Sequence, residues 1–208
     1  MWQLIVALAG SYLLGSIPTA YLVVKRMARL DVRTVGSGNV GATNAARAAG
    51  WGAGLTVFLL DVGKGLLAVQ LLAPWLVHPV NPAVRFGCGL MAVIGHAFPL
   101  FLKFRGGKGV ATTIGVVLGT MPLVAALCLL VWVSCFLPWR YVSVASLASA
   151  VMLPVAQALT RRSQAEILLG TALALLVIAR HRSNIERLRQ GTEHRVERRA
   201  PMCGTRER

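Results

Sequence analysis

The sequence predicts an all-α membrane protein, a polytopic bundle of about seven transmembrane helices. Hydrophobic residues make up 56% of the 208 residues and charged residues only 14%, whereas a soluble domain usually carries about 25% charged residues. The mean hydropathy is +0.65, and several apolar runs approach the roughly 20 residues that a helix needs to cross a bilayer. These observations exclude a soluble single domain.

Apolar runs place the helices in order along the chain. Five runs predict spans directly: residues 2–24, 51–77, 85–102, 141–160 and 164–179. A further run, residues 110–137, is longer than one span requires. It forms either one tilted helix or two short helices divided at Gly119-Thr120-Met121-Pro122, because proline removes a helical hydrogen bond.

The positions of the basic residues decide between six and seven spans. The loop after the first run is strongly basic, which places it in the cytoplasm and the N-terminus in the periplasm. Six spans would leave the arginine-rich C-terminal end, Arg180 to Arg199, outside the cell. Seven spans return it to the cytoplasm, with Arg161 and Arg162 as the exception. We therefore predict seven spans and a cytoplasmic C-terminus.

The net charge of +15 is explained by this topology. The Lys and Arg residues lie in short loops and at the C-terminal end, where they face anionic lipid headgroups. A nucleic-acid-binding protein instead presents a continuous basic face on a soluble fold. We therefore predict membrane lipids as partners and no nucleic acid.

The cysteines give no indication of a metal or a disulfide. Cys88, Cys128, Cys135 and Cys203 lack CxxC or other metal-ligand spacing, and a free cysteine in an apolar run behaves as a small hydrophobic residue. The sequence also has no acidic cluster suited to magnesium. We predict no metal ion and no cofactor.

Three polar segments rich in small residues, 36–47, 103–113 and 180–193, fall on the cytoplasmic side under this topology. The first contains Gly36, Ser37, Gly38, Asn39, Thr43, Asn44 and Arg47. It matches GxGxxG formally, but no βαβ unit surrounds it, so a dinucleotide site is rejected. Exposed backbone N–H groups, neutral hydrogen-bonding side chains and one arginine suit an oxyanion.

The second segment follows His96 and contains Gly106, Gly107, Lys108, Gly109 and Thr112. It is not a Walker A sequence, because Leu102 replaces the first glycine and Gly109 replaces the Ser or Thr that binds magnesium. A glycine nest, a lysine and a helix beginning near Val110 still favour anion binding. The alternative is a simple helix break.

The third segment contains His181, Asn184 and Glu193. On a helix, His181 and Asn184 share one face. The alternative for this segment is a solvated basic tail. Within the second span, Asp61 and Lys64 lie three residues apart, and we expect them to form an ion pair inside the bundle because an unpaired charge there is costly.

Together, in this order and spacing, the three segments resemble the motifs of the bacterial acyl-phosphate:glycerol-3-phosphate acyltransferase family, the PlsY family. Gly15-Ser16-Ile17-Pro18 and Asp61-x-x-Lys64-Gly65 also match. The resemblance covers residues 1–194, which we treat as one membrane-embedded domain, and residues 195–208 form a basic cytoplasmic tail. Each motif alone is weak evidence, whereas all of them in order are very specific.

The resemblance implies a seven-helix enzyme of the bacterial cytoplasmic membrane whose active site faces the cytoplasm. It implies acyl transfer from acyl phosphate to the 1-hydroxyl of glycerol 3-phosphate, giving lysophosphatidic acid and phosphate. The residues implied in catalysis are Ser37, Arg47, His181 and Asn184. The remaining motif residues are implied in substrate and phosphate binding: Gly36, Gly38, Asn39, Thr43, Asn44, His96, Gly106, Gly107, Lys108, Gly109, Thr112 and Glu193.

Acyl phosphate is already activated, so we expect direct transfer without an acyl-enzyme. Either His181 or the substrate's own phosphate can accept the hydroxyl proton. A transporter or channel for an anionic solute is the main alternative function, since broken helices at membrane depth are also typical of transporters, and a small scaffold protein is another. The sequence gives no indication of oligomeric state, and a monomer is compatible with it.

Overall fold

The structure is a computed structural model that describes residues 1–196, and all its regular elements are helical. The basic tail from residue 197 and Cys203 lie outside the described residues. The α-helices are α1 Trp2–Ser16, α2 Thr19–Ala28, α3 Ala42–Leu67, α4 Ala73–Leu76, α5 Pro82–Ala97, α6 Val110–Thr120, α7 Pro122–Trp139, α8 Val142–Leu159, α9 Gln164–Arg180 and α10 Arg182–Arg189.

The apolar exterior confirms an all-helical membrane protein. Five continuous or nearly continuous helical stretches are long and apolar enough to cross a bilayer: Trp2–Ala28, Ala42–Leu76, Pro82–Leu102, Pro122–Trp139 and Val142–Leu159. The bent pair α9 and α10 gives a sixth. At 11 residues, α6 is only about 16 Å long and does not cross about 30 Å of hydrocarbon by itself. The number of seven spans stays a prediction.

Two of the helix breaks were indicated by the sequence. Residues 110–137 divide at Met121, where α6 ends and α7 begins with Pro122. The helix α3 begins earlier than the predicted span, at Ala42, but it is interrupted by non-helical backbone at Ala49 and Gly50. The predicted span start at Trp51 therefore coincides with the end of this kink.

Small residues bring the helices together. The helices α1 and α5 cross so closely that a Cβ at Gly15 would collide with the Ala92 carbonyl oxygen, and one at Gly95 with that of Tyr12. The helices α3 and α6 pack in the same way at Gly65 and Gly115. Association through small residues is expected where lipid removes the hydrophobic advantage of burying larger side chains.

Polar side chains donate hydrogen bonds to backbone carbonyls within the helical bundle. Gln70 donates a hydrogen bond to the Gly119 carbonyl at the break before α7, and Ser149 of α8 donates to the Cys128 carbonyl of α7 at 3.1 Å. Gln157, fully buried, donates to the Glu166 carbonyl of α9 at 3.0 Å. These bonds matter because hydrocarbon supplies no water to replace them.

Candidate active site

Parts of the three motif segments meet around one cavity of about 530 Å³. Ser37, Gly38 and Asn39 come from the first segment, Gly106 and Lys108 from the second. The third contributes residues at the bend between α9 and α10, which turns by 55°. The three segments therefore share one face of the protein, and its cytoplasmic orientation stays a prediction.

The cavity combines positive charge with apolar surface. Four cationic side chains line it: Lys108, Arg180, Arg182 and Arg187. Phe98, Leu176 and Ala179 line it as well. A cavity with both features suits a ligand that carries an anionic group and an alkyl group.

The first segment is shaped from within by Asn44. The Asn44 carboxamide oxygen accepts from the Ser37 N–H at 3.0 Å, and its nitrogen donates to the Val32 and Val35 carbonyls at 2.9 and 3.0 Å. Asn44 is only 1% exposed. Its polar atoms are committed to the loop, so it positions Ser37 and does not line the cavity.

Two glycines allow the chain to turn around this side chain. Gly36 and Gly38 have φ of 58° and 67°, a left-handed conformation that favours glycine. A Cβ at Gly36 would also press against the Asn44 carboxamide oxygen. Thr43 and Arg47 are exposed near the start of α3, and neither is among the residues that line the cavity.

The second segment is held against the end of α5. The Gly107 N–H donates to the His96 carbonyl at 3.1 Å, and a Cβ at Gly107 would collide with the His96 imidazole. Arg180 donates to the Gly106 carbonyl at 2.9 Å and to the Gly107 carbonyl at 3.0 Å. His96 therefore lies behind the loop, away from the cavity.

The loop leads directly into α6. Gly109 caps this helix with φ of 83°, and the predicted helix start at Val110 is confirmed. Helix N-termini favour anions because their first N–H groups have no partner within the helix. Thr112, by contrast, is fully buried within α6.

The environment of Lys108, which lies outside the membrane spans, disfavours its positive charge. The pKa of Lys108 is lowered to about 8, mainly by burial; the charge of Glu193 opposes this shift, and the positive charges of Arg187, Arg47 and Arg180 add to it. Like charges gathered this closely are costly without an anion between them. The arrangement therefore indicates an anionic ligand.

The third segment is organised by Glu193. This carboxylate accepts from Ser143 at 3.0 Å, from Asn184 at 2.7 Å and from Arg187 at 2.7 Å. Burial raises the pKa of Glu193, but these hydrogen bonds outweigh burial and hold it below its usual value. Glu193 is thus ionised and occupied by protein donors, which makes it a support for Asn184 and Arg187.

His181 lies at the junction of α9 and α10 and is 2% exposed. Its Nδ1 is 2.8 Å from the Val177 carbonyl oxygen, so this nitrogen carries the proton. In the neutral ring the lone pair is then on Nε2. His181 and Asn184 are both buried and are not among the residues that line the cavity.

The predicted ion pair of Asp61 and Lys64 is present and buried, at 2.9 Å. Asp61 also accepts from Thr19 at 2.6 Å and lies 3.4 Å from His96 Nδ1. Lys64 donates to the Ile17 carbonyl at 3.3 Å. This network connects α2, α3 and α5 directly behind the glycine loop.

Of the site residues expected from the sequence, Ser37, Gly38, Asn39, Gly106 and Lys108 line the cavity. The others lie behind or beside it, and the roles of all these residues stay predictions. Sequence reasoning missed Arg180, Arg182 and Arg187 as cavity residues, because the positive-inside rule already explained their charge. Their position in the sequence, close to His181 and Asn184, could have indicated that they belong to the site.

Fold and cavity together define a class: a polytopic helical membrane protein with a cationic, glycine-rich site for an anion beside an apolar surface. Residues 5–191 match the model of the glycerol-3-phosphate acyltransferase family. The chain belongs to this family.

Related proteins and solved structures are similar to this chain over nearly its whole length. Glycerol-3-phosphate acyltransferase of Geotalea daltonii is 43% identical over 91% of this chain and 96% of that protein, and that of Syntrophomonas wolfei is 41% identical over 89% and 93%. A crystal structure of PlsY, an integral membrane glycerol 3-phosphate acyltransferase, in its glycerol 3-phosphate form superposes with a TM-score of 0.87 at 39% identity, covering 93% of this chain and 96% of that one. Its lysophosphatidic acid form gives 0.84 at 37% identity, covering 93% and 95%.

Proposed function

We propose that this protein transfers an acyl group from acyl phosphate to the 1-hydroxyl of glycerol 3-phosphate. The products are lysophosphatidic acid and inorganic phosphate. The observation that carries the proposal is the cavity, in which Lys108 and three arginines meet an apolar surface. Both substrates carry a phosphate and the donor carries an alkyl chain, so each feature of the cavity has a matching chemical group.

Direct transfer accounts for the reaction. The hydroxyl oxygen attacks the acyl carbonyl carbon, the bond from that carbon to the phosphate oxygen breaks, and phosphate leaves with the bonding electrons. Lys108 and the neighbouring arginines stabilise the leaving phosphate, and Ser37 and Asn39 orient the acceptor. Catalysis then depends mainly on positioning and electrostatic stabilisation.

The hydroxyl proton goes to one of two bases. Nε2 of His181 holds the lone pair of the neutral ring, because Nδ1 donates to the Val177 carbonyl, and a phosphate oxygen of the substrate is the alternative. His181→Gln distinguishes them. If His181 is the base, kcat falls at least about 100-fold in the correctly folded variant. If the phosphate accepts the proton, the variant keeps most of its kcat.

We further propose that the protein resides in the bacterial cytoplasmic membrane with the cavity facing the cytoplasm. The basic residues around the cavity support this orientation through the positive-inside rule. Glycerol 3-phosphate and acyl phosphate are then reached from the cytoplasm and from the lipid, respectively.

The test is lysophosphatidic acid formation by detergent-purified protein given palmitoyl phosphate and glycerol 3-phosphate. We expect product from the parent and at least about tenfold less from Ser37→Ala, which loses a cavity hydroxyl. Ser134→Ala is the matched control, because Ser134 is exposed on α7. No product from the parent with acyl phosphate, acyl-CoA or acyl-carrier-protein donors would refute the proposed function.

A further inference from the structure

Arg180 makes an unusual contact with the glycine loop of the second segment. One guanidinium group donates to two successive carbonyls, from Nη2 to Gly106 at 2.9 Å and from Nε to Gly107 at 3.0 Å. Gly106 and Gly107 lie more than 70 positions before Arg180 in the sequence. The fork of an arginine matches such a pair of acceptors, whereas the single ammonium of lysine does not.

Fixing these carbonyls fixes the peptide planes of the loop. Because a peptide unit is planar and trans, the Gly106 carbonyl sets the direction of the Gly107 N–H, which donates to His96. The Gly107 carbonyl likewise sets the direction of the Lys108 N–H and the path of the chain into Lys108. The loop is thus held by α5 on one side and by Arg180 on the other.

Arg180 is itself positioned by its surroundings. Its guanidinium lies 5.0 Å from the centre of the Phe98 ring, in a cation–π contact. Within residues 1–196 no carboxylate lies within 4.0 Å of it. Its charge is therefore balanced by backbone carbonyls and an aromatic face, which keeps the cavity positive.

We propose that Arg180 is a positioning residue, which sets the conformation of the glycine loop and thereby presents Lys108 to the substrate phosphate. This rests on the proposed function for the role of Lys108 but not for the loop geometry. Arg180 acts through the loop backbone, so its shape matters as well as its charge.

The test compares Arg180→Lys with Arg182→Lys by hydrogen–deuterium exchange of the loop amides in protein without substrate. Arg182 lines the same cavity but is exposed, and it makes no hydrogen bond to the loop in the structure described here. We expect exchange at residues 105–109 to rise at least about tenfold in Arg180→Lys, since two charge-assisted hydrogen bonds are weakened. Arg182→Lys should match the parent.

Kinetics supply the second readout. We expect kcat/KM for glycerol 3-phosphate to fall about 10- to 100-fold in Arg180→Lys although the charge is kept. Phe98→Leu, which removes the aromatic support, should raise loop exchange to a smaller extent and serves if the lysine variant does not fold. Equal loop exchange in the parent and both Arg180→Lys and Phe98→Leu would overturn the proposal, as would a rise spread evenly over all helices. An inactive parent with the expected exchange pattern would overturn the function alone.

Discussion

Lys108 shows how a residue acquires its chemistry from neighbours on other elements. It follows two glycines and precedes a helix, and the charges around it come from Arg47 near the start of α3, from Arg180 and Arg187 at the other end of the chain, and from Glu193. His181 lies close enough for the Lys108 charge to act on it as well. An anion placed among these groups relieves their mutual repulsion.

This environment predicts a pH dependence. With the pKa of Lys108 lowered to about 8, its charge is present below that pH and is lost as the pH rises through it. We expect kcat/KM for glycerol 3-phosphate to fall above about pH 8, by up to tenfold per pH unit. The substrate phosphate does not cause this fall, because its second pKa is near 6.

Lys108→Arg is the control for that profile. An arginine stays protonated throughout the range, so the decline above pH 8 should disappear even if the rate is lower at every pH. Initial rates of lysophosphatidic acid formation from pH 6.5 to 10, corrected for spontaneous hydrolysis of acyl phosphate, provide the measurement. The same decline in both proteins would assign it to another group.

Between elements, contact depends on glycines that leave no room for a side chain. The helices α1 and α5 approach until their backbones nearly touch at Gly15 and Gly95. This contact holds the end of α5 in place. At that end, the carbonyl of His96 accepts a hydrogen bond from the Gly107 N–H of the glycine loop. Close packing at the ends of α1 and α5 thus positions the cavity wall.

Gly95→Ala should therefore be destabilising. The new methyl group would meet the Tyr12 carbonyl oxygen, a backbone atom that cannot move away by a rotamer change. We expect a loss of about 1–3 kcal/mol, seen as an unfolding midpoint lower by about 2–10 °C in detergent.

Gly87→Ala, on the same helix, is the matched control. A Cβ there meets nothing within 4 Å, and alanine is favoured over glycine in a helix by about 1 kcal/mol. Its midpoint should equal or exceed that of the parent. If the two variants shifted the midpoint equally, close approach of α1 and α5 would not be the cause.

On the scale of the whole molecule, the segments around the cavity are joined by bonds between distant parts of the chain. At the junction of α7 and α8, the Arg140 carbonyl accepts from the Val196 N–H at 3.0 Å, and the Arg140 side chain donates to the Val196 carbonyl at 2.8 Å. Ser143 of α8 reaches Glu193. The start of α8 and the segment after α10 therefore lie on the same side as the cavity, as the predicted reversal of the chain between α6 and α7 requires.

Cysteine labelling tests this topology. In a chain whose four native cysteines are replaced by alanine, we compare Lys103→Cys with Arg161→Cys, two exposed positions that share a left-handed backbone. A membrane-impermeant maleimide should label Arg161→Cys in intact spheroplasts and Lys103→Cys only after permeabilisation. Labelling of Lys103→Cys in intact spheroplasts would reverse the proposed orientation.

Three features followed from local sequence patterns: the class of protein, the helix break at Met121 and the segments that surround the cavity. Each depends on local chemistry: apolar run length, the missing N–H of Pro122, and the density of glycines and polar side chains. The sequence also identified Asp61 and Lys64 as a pair, since three residues in a helix bring side chains together.

Which side chains face the cavity depends on tertiary contacts. Asn44 turns inward to the backbone of its own loop, His96 lies behind Gly107, and Arg180 reaches the loop from α9. The physical reason is that the direction of a side chain depends on the rotation of its helix and on contacts between segments far apart in the sequence. A pattern of neighbouring residues does not encode those contacts, so charges assigned to membrane topology proved also to line the cavity.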